Sequence, residues 1–338
     1  MARHGLSLID IQSAFGTEDQ CLDYCEMMRW PEGVFCLKCG SDKVSKFVTN
    51  ETTRERKNRK CEIVEYTMPA RRLFQCNNEG CRHQFSATAG TIFADTHLPL
   101  ATWFKAIGLM CNAKKGLSAK QMARDLGVNY RTAWHLNHCI REAMQSPDGL
   151  FGGTVEIDAT FVGGKYDKRR KRAPYDKQAV AGVMQRTTED HHSKVRALPV
   201  RREIASEMPN VIPQNVSTGS NLMTDEHKAY VALAKDGWKH EIVAHTKDEW
   251  VRGNVHTQGI ENFWSLFKRG VIGSFHSVSV KHLHRYLNEF SFRFNNRESR
   301  DIFNMIVGNL LIGSALRYKA LIAKTSIEPV LLSSSEPE

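Results

Sequence analysis

Three acidic residues stand in settings that could make them ligands for a divalent cation. Asp158 lies in Thr154–Val162, which alternates like a strand and puts Glu156, Asp158 and Thr160 on one face. Asp225 ends the short apolar stretch Asn221-Leu222-Met223-Thr224-Asp225, and His227 to Tyr230 opens a helical pattern beyond it. Glu261 belongs to a predicted amphipathic helix in which Ile260, Phe263, Trp264 and Phe267 recur at i, i+3, i+4 and i+7. Glu261 is off that apolar stripe, and Lys268, two turns later, shares its face with Arg269 alongside. Carboxylate and phosphate oxygens are what Mg²⁺ prefers. Two such ions a few ångström apart activate an attacking hydroxyl and stabilise a leaving oxygen. Alternation does not separate Glu156 from Asp158, and Glu226 adjoins Asp225.

A second metal chemistry is written in cysteine. Cys36-Leu37-Lys38-Cys39-Gly40 is a C-x₂-C-G knuckle, and Cys76 and Cys81 form a second pair. Four thiolates on two turns suit a closed, structural Zn²⁺ shell. A unit this small has little core of its own, so bound metal would supply folding free energy. The long insert between the pairs carries Arg54, Arg56, Lys57, Arg59 and Lys60. It reads as a solvated hairpin or as a phosphate-contacting arm. Cys21 and Cys25, four apart on one helical face, read as core thiols.

Between the cysteine unit and the first acid the pattern is helical. Trp103, Ile107, Met110 and Cys111 make one apolar stripe. Ser118 can cap the next helix, with Gln121 completing a capping box, and that helix buries Met122, Ala123 and Leu126. Gly127 supplies a turn, and Asn129 caps a helix from Tyr130 to about Met144 that buries Ala133, Leu136 and Ile140. Helix, glycine turn and helix is the helix-turn-helix pattern. Asn129, Tyr130, Arg131, Thr132 and His135 would face DNA, while an ordinary helical hairpin is the plain alternative.

These groups need scaffolds, and 338 residues suffice for two or three compact units. The chain reads as a helical segment (1–35), a zinc ribbon (36–95), a helix-turn-helix unit (96–148), an α/β catalytic domain (149–320) and a polar tail (321–338). Lys and Arg number 47 against 37 Asp and Glu, a net charge of +10, which suits a polyanionic partner. Lys168, Arg169 and Arg170 lie in a basic run after the first strand and could contact a DNA strand. No apolar run reaches the roughly 18–20 residues that span a bilayer, so an intracellular protein without membrane partners is expected. Nine cysteines in a reducing compartment favour metal ligands and buried thiols over disulfides.

In combination the motifs resemble bacterial insertion-sequence transposases related to the eukaryotic Merlin elements. The resemblance is carried by Arg29-Trp30-Pro31-Glu32-Gly33, Cys36 to Gly40, Thr88-Ala89-Gly90-Thr91-Ile92-Phe93 and Gly116 to Gln121. It continues through Glu156-Ile157-Asp158, Thr224-Asp225-Glu226, Ile260 to Ser265, Lys268-Arg269-Gly270 and Arg285 to Arg297. It implies a DDE triad of Asp158, Asp225 and Glu261 on an RNase H-like fold, preferring Asp158 over Glu156. It also implies two Mg²⁺ or Mn²⁺ ions, and a zinc ribbon built on Cys36, Cys39, Cys76 and Cys81. The implied activity is binding of terminal inverted repeats in double-stranded DNA, strand cleavage and joining of 3′ hydroxyls to target DNA. A homodimer or larger assembly in the bacterial cytoplasm, associated with the nucleoid, goes with it. A catalytically silent DNA-binding derivative is the alternative, and the intact acids and Lys268 argue against it. Gln258-Gly259 departs from the family, which carries Asn just before the catalytic helix.

Overall fold

The computed structural model describes residues 6–57, 61–145, 149–163, 177–189, 191–200, 204–227, 230, 238–244, 246 and 248–323. The elements run, in chain order, α1 (Leu8–Ala14), α2 (Glu18–Arg29), β1 (Val44–Val48), β2 (Thr52–Lys57), β3 (Ile63–Met68), β4 (Arg72–Cys76) and β5 (Gln84–Phe85). There follow α3 (Leu100–Asn112), α4 (Ala119–Leu126), α5 (Tyr130–Glu142), β6 (Thr154–Val162), β7 (Gln178–Gln185), β8 (Lys194–Val200) and α6 (Ile204–Asn215). The last are β9 (Asn221–Asp225), β10 (Lys239–Val243), α7 (Gln258–Gly270), α8 (Leu283–Asn295), α9 (Ile302–Ile312) and α10 (Tyr318–Ile322). The chain divides into two units, one of residues 6–108 with 303–316 and one of residues 109–302 with 317–323. The boundaries fall within α3 and at the start of α9.

In the smaller unit, local sequence starts both N-terminal helices. Ser7 with Asp10 and Thr17 with Gln20 form complete capping boxes. α2 buries Cys21 and Cys25 completely, and burial pushes each thiol up to about 12, so both remain protonated core groups. β1, β4 and β5 form an antiparallel sheet. Trp30 lies edge-on to Phe74 with ring centroids 5.4 Å apart, and Phe74 stacks on Phe85 at 5.6 Å. Arg72 on β4 ties this sheet to α2 through Asp19 at 2.7 Å and through Asp23, and Lys46 on β1 reaches Glu26 at 2.6 Å. β2 and β3 stand apart as a separate two-stranded antiparallel ribbon.

The larger unit is organised by a five-stranded sheet of order β10-β9-β6-β7-β8. β6, β7 and β8 are antiparallel neighbours, while β9 runs parallel to β6 and β10 parallel to β9. β7 is apolar nearly throughout because both of its faces are covered. Ala179, Ala181 and Val183 face a cluster with Met208 and Ile212 of α6. Val180 and Met184 face the opposite cluster, with Ile260, Phe263, Trp264 and Phe267 of α7 and Leu287 and Phe290 of α8. All four α7 stripe residues are buried, as their spacing predicts. Each such side chain stabilises the fold by about 1.5–3 kcal/mol.

α4 and α5 also belong to this unit. Ser118 accepts from the Gln121 N–H at 3.2 Å, and Gly127 ends α4 in the left-handed region at φ 66. The expected capping box is only half formed, because the Gln121 side chain is engaged by Asp125 and Arg124 instead. Asn129 caps α5 by accepting from Thr132 N–H at 2.9 Å, and Ala133, Leu136 and Ile140 are buried as expected. The second half of α5 is anchored on α8. Arg141 is buried against Glu289 at 2.7 Å and lies 4.1 Å over the Tyr286 ring, while Arg293 holds the other Glu289 oxygen at 3.1 Å. Removing one partner from a buried network of this kind costs about 3–5 kcal/mol.

Candidate active site

The parallel pairing of β6 with β9 sets the first two acids side by side. Its register is Thr154↔Asn221, Val155↔Leu222 and Glu156↔Met223, and two residues further along each strand come Asp158 and Asp225. Both are half-buried. They share the sheet face on which α7 packs, and α7 brings Glu261 in its first turn. Burial pushes the Asp158 carboxyl up to about 6. The Ala159 N–H, donating at 2.8 Å, opposes that rise, and the negative charges of Asp225 and Glu261 add to it. The Trp264 indole N–H draws Asp158 slightly the other way without reaching full hydrogen-bond geometry.

α7 can approach this closely because Gly182 on β7, the register partner of Asp158, has no side chain. A Cβ there would stand 2.5 Å from the Trp264 ring and 2.8 Å from Ile260. The start of α7 lacks a side-chain cap from Thr257. Glu156 takes that role from β6, accepting from the Ile260 N–H at 2.9 Å. Gly259 makes room for it, since a Cβ there would lie 2.8 Å from the Glu156 carboxylate. The other Glu156 oxygen is held by Arg186 at 2.7 Å. Arg186 also donates to the Asn254 carbonyl at 2.6 Å and the His256 carbonyl at 2.7 Å, so it fastens the segment leading into α7. Thr257 Oγ1 donates to Glu261 at 2.7 Å.

The structure thereby separates acids that alternation could not. Glu156 is fully buried and committed to Arg186 and Ile260. Glu226 accepts from both the N–H and the hydroxyl of Thr246. Asp225 accepts from the His227 N–H at 3.0 Å. Tyr230 has no signal in the sequence, yet it is buried and lies within the field of both strand acids. Burial first, then the Asp158 and Asp225 charges, holds its phenol well above the usual range. Lys268 and Arg269 are exposed near the end of α7, about 10 Å along the helix axis from Glu261.

The four predicted cysteines converge in the smaller unit. Their sulfurs all lie within 4.8 Å of one another, the only such gathering of three or more potential ligands among the described residues. Cys36 to Cys81 is 3.7 Å and Cys39 to Cys76 is 3.6 Å. Tetrahedral Zn–S bonds of about 2.3 Å put sulfurs roughly 3.8 Å apart, so the donor set fits Zn²⁺. Gly40, at φ 72, turns the first knuckle. Cys61 is exposed and outside the cluster.

Among the other predicted contacts, Asn129, Tyr130 and Arg131 are exposed at the start of α5, and Thr132 is half-buried. His135 is half-buried, 3.5 Å from the Cys139 sulfur and with its ring 5.9 Å from that of Tyr318. Lys168, Arg169 and Arg170 lie outside the described residues.

Residues 150–295 match the ISXO2-like transposase domain, and residues 16–84 match the transposase zinc-ribbon domain. The chain is 24% identical over 298 residues to an uncharacterized protein in transposable element ISH50 of Halobacterium salinarum, covering 82% of this chain and 91% of that one. It is 27% identical over 96 residues to an uncharacterized transposase-like protein of Haemophilus influenzae, covering 28% of this chain and 76% of that one. Through both matched segments the chain is similar to insertion-sequence DDE transposases.

Proposed function

We propose that this protein binds the terminal inverted repeats of its element and catalyses metal-dependent DNA strand cleavage and 3′-hydroxyl strand transfer. The observation that carries this reading is the placement of Asp158 and Asp225 at matching positions on adjacent parallel strands, with Glu261 on the helix packed over the same face. The strand order and directions support assigning the larger unit to an RNase H-like fold.

Asp158, Asp225 and Glu261 would hold two Mg²⁺ or Mn²⁺ ions. The donor set is all oxygen, and a carboxylate destabilised by two like charges gains most from a cation. Bound ions would supply activation of the attacking hydroxyl and stabilisation of the leaving oxygen. Glu156 and Arg186 position α7 and so Glu261, without touching DNA. Lys268 and Arg269 offer cations to the phosphates beyond the acids. α4 and α5 act as a helix-turn-helix, in which Asn129, Tyr130 and Arg131 meet DNA. The four cysteines hold a structural zinc. Two DNA ends must be handled together in strand transfer, so a homodimer or larger assembly is the working form. The basic chain works on chromosomal DNA in the cytoplasm.

The test is a strand-transfer assay with purified protein, labelled DNA carrying the repeats that flank its gene, and Mg²⁺ or Mn²⁺. Cleavage and joining are expected to need metal and to fall at least about 10³-fold in Asp158→Asn, Asp225→Asn and Glu261→Gln, with end binding retained. Robust cleavage by any one of these variants removes that residue from the site. End binding with no cleavage under either metal identifies a catalytically silent DNA-binding derivative.

A further inference from the structure

The β2–β3 ribbon contributes little to any core. Every β2 side chain is exposed, and on β3 only Tyr66 and Met68 are half-buried. A two-stranded ribbon is marginally stable on its own in water. Its sequence is nevertheless sorted by face. Strand side chains alternate, and register partners share a face. One face therefore carries Arg54 and Arg56 with Val64, Tyr66 and Met68, and no acid. The other carries Lys57 together with Glu55 and Glu65, which are direct cross-strand partners. Like charges placed opposite each other cost stability, so this arrangement does not serve the ribbon itself. It does give the two faces opposite character. The Arg56 guanidinium lies 5.1 Å over the Tyr66 ring, which holds it extended along the basic face.

We infer that the Arg54–Arg56–Tyr66 face docks on the phosphate backbone of double-stranded DNA, with the Glu55–Glu65 pair turned away from it. The inference rests on the DNA reading above and adds a second contact surface, in the zinc-ribbon unit and separate from α5. The occupant follows from charge. The basic face offers two planar guanidinium donors, which match phosphate oxygens in pairs. The acidic face repels a polyanion and so selects which side docks. A two-stranded ribbon also fits the width of the duplex major groove.

The experiment measures binding of the full-length, zinc-loaded protein to two linear duplexes over a range of monovalent salt. One duplex carries the inverted repeat and the other a scrambled sequence. The parent is compared with Arg54→Ala/Arg56→Ala and, on the opposite face, with Glu55→Gln/Glu65→Gln. Each lost phosphate contact flattens the slope of log K against log salt by about 0.9. The arginine variant should therefore lose about 2 from the slope on both duplexes and bind on the order of 50-fold more weakly at 0.1 M salt. The glutamine variant should keep the parent's slope. Unchanged zinc content verifies that the arginine variant is folded. An unchanged slope in the folded arginine variant overturns the inference and leaves the transposase reading intact. A change of oligomeric state at unchanged slope overturns it in favour of a contact between copies of the chain. Absence of salt-dependent binding by the parent overturns both.

Discussion

The four cysteines and the three acids proposed as metal ligands are positioned by different routes. Four sulfurs converge within 4.8 Å from two short turns of one small unit. Pairing of β1 with β4 brings the two turns together, and Gly40 and hydrogen bonds within each turn aim the sulfurs. The acids come from β6, β9 and α7, and their placement depends on a parallel register, a glycine under Trp264 and a carboxylate that caps α7 from β6. The cysteine set is closed once one strand pairing joins two tight turns, and it is complete with four ligands, as structural metal sites are. The acid set is half-buried, electrostatically strained and held by long-range anchors. Tight turns and one strand pairing complete the first set, whereas the second is placed by two strands and a packed helix.

The largest effect should come from breaking the local site. Cys36→Ser or Cys76→Ser, or a strong chelator, removes a metal contribution on the order of 10 kcal/mol. Zinc stoichiometry and the thermal transition of the smaller unit should both collapse. Full zinc binding by both variants would refute the four-cysteine assignment.

A smaller effect tests the long-range anchors. Glu156→Ala leaves the Ile260 N–H and the Arg186 guanidinium without their buried partner, a loss of about 3–5 kcal/mol. Glu156→Gln keeps an oxygen for Ile260 and should retain most stability and part of the cleavage activity, at a higher metal requirement. If alanine and glutamine lose metal-dependent cleavage alike while remaining equally stable, Glu156 is a ligand rather than an anchor.

The smallest effect reads the strain. The folded Asp158 pKa, about 6, lies above its ordinary value of 3.8. Proton binding there favours the folded state, so this contribution is present below about pH 4 and lost as pH rises through 6. Asp158→Asn should thus gain stability over the parent between pH 4 and 7 without divalent metal, by about 2 kcal/mol. Mg²⁺ should narrow that gap by stabilising the parent. A constant difference in melting temperature across this range would show that Asp158 is not strained.

Sequence reading reached the two sites unequally, for the same reason that they differ. Each cysteine pair is a local motif, so all four ligands were legible from spacing. The α7 stripe was legible too, because helical period alone decides which residues it buries. The choice between Glu156 and Asp158 was not, since both occupy one strand face and only Arg186 and the start of α7 distinguish them. Gly182 and Tyr230 gave no signal, because their importance lies in what approaches them from distant parts of the chain. Gln258-Gly259, a departure from the family pattern, proves compatible with the Glu156 cap because glycine leaves it space.

Under the proposed function, the buried Arg141–Glu289–Arg293 network has a consequence for where DNA would be cut. It joins α5, whose exposed start is proposed to grip the repeat, to α8, which packs in the same cluster as α7 and the acid-bearing face. Among the described residues, this packing joins the proposed grip to the acid-bearing face within one unit. The span between them is a ruler of fixed length, and each base pair added to it turns the duplex by about 35° as well as lengthening it. On that proposal, the cutting position would be counted from the gripped sequence by packing within the protein, and the element's ends would carry that length as a constraint on their own spacing.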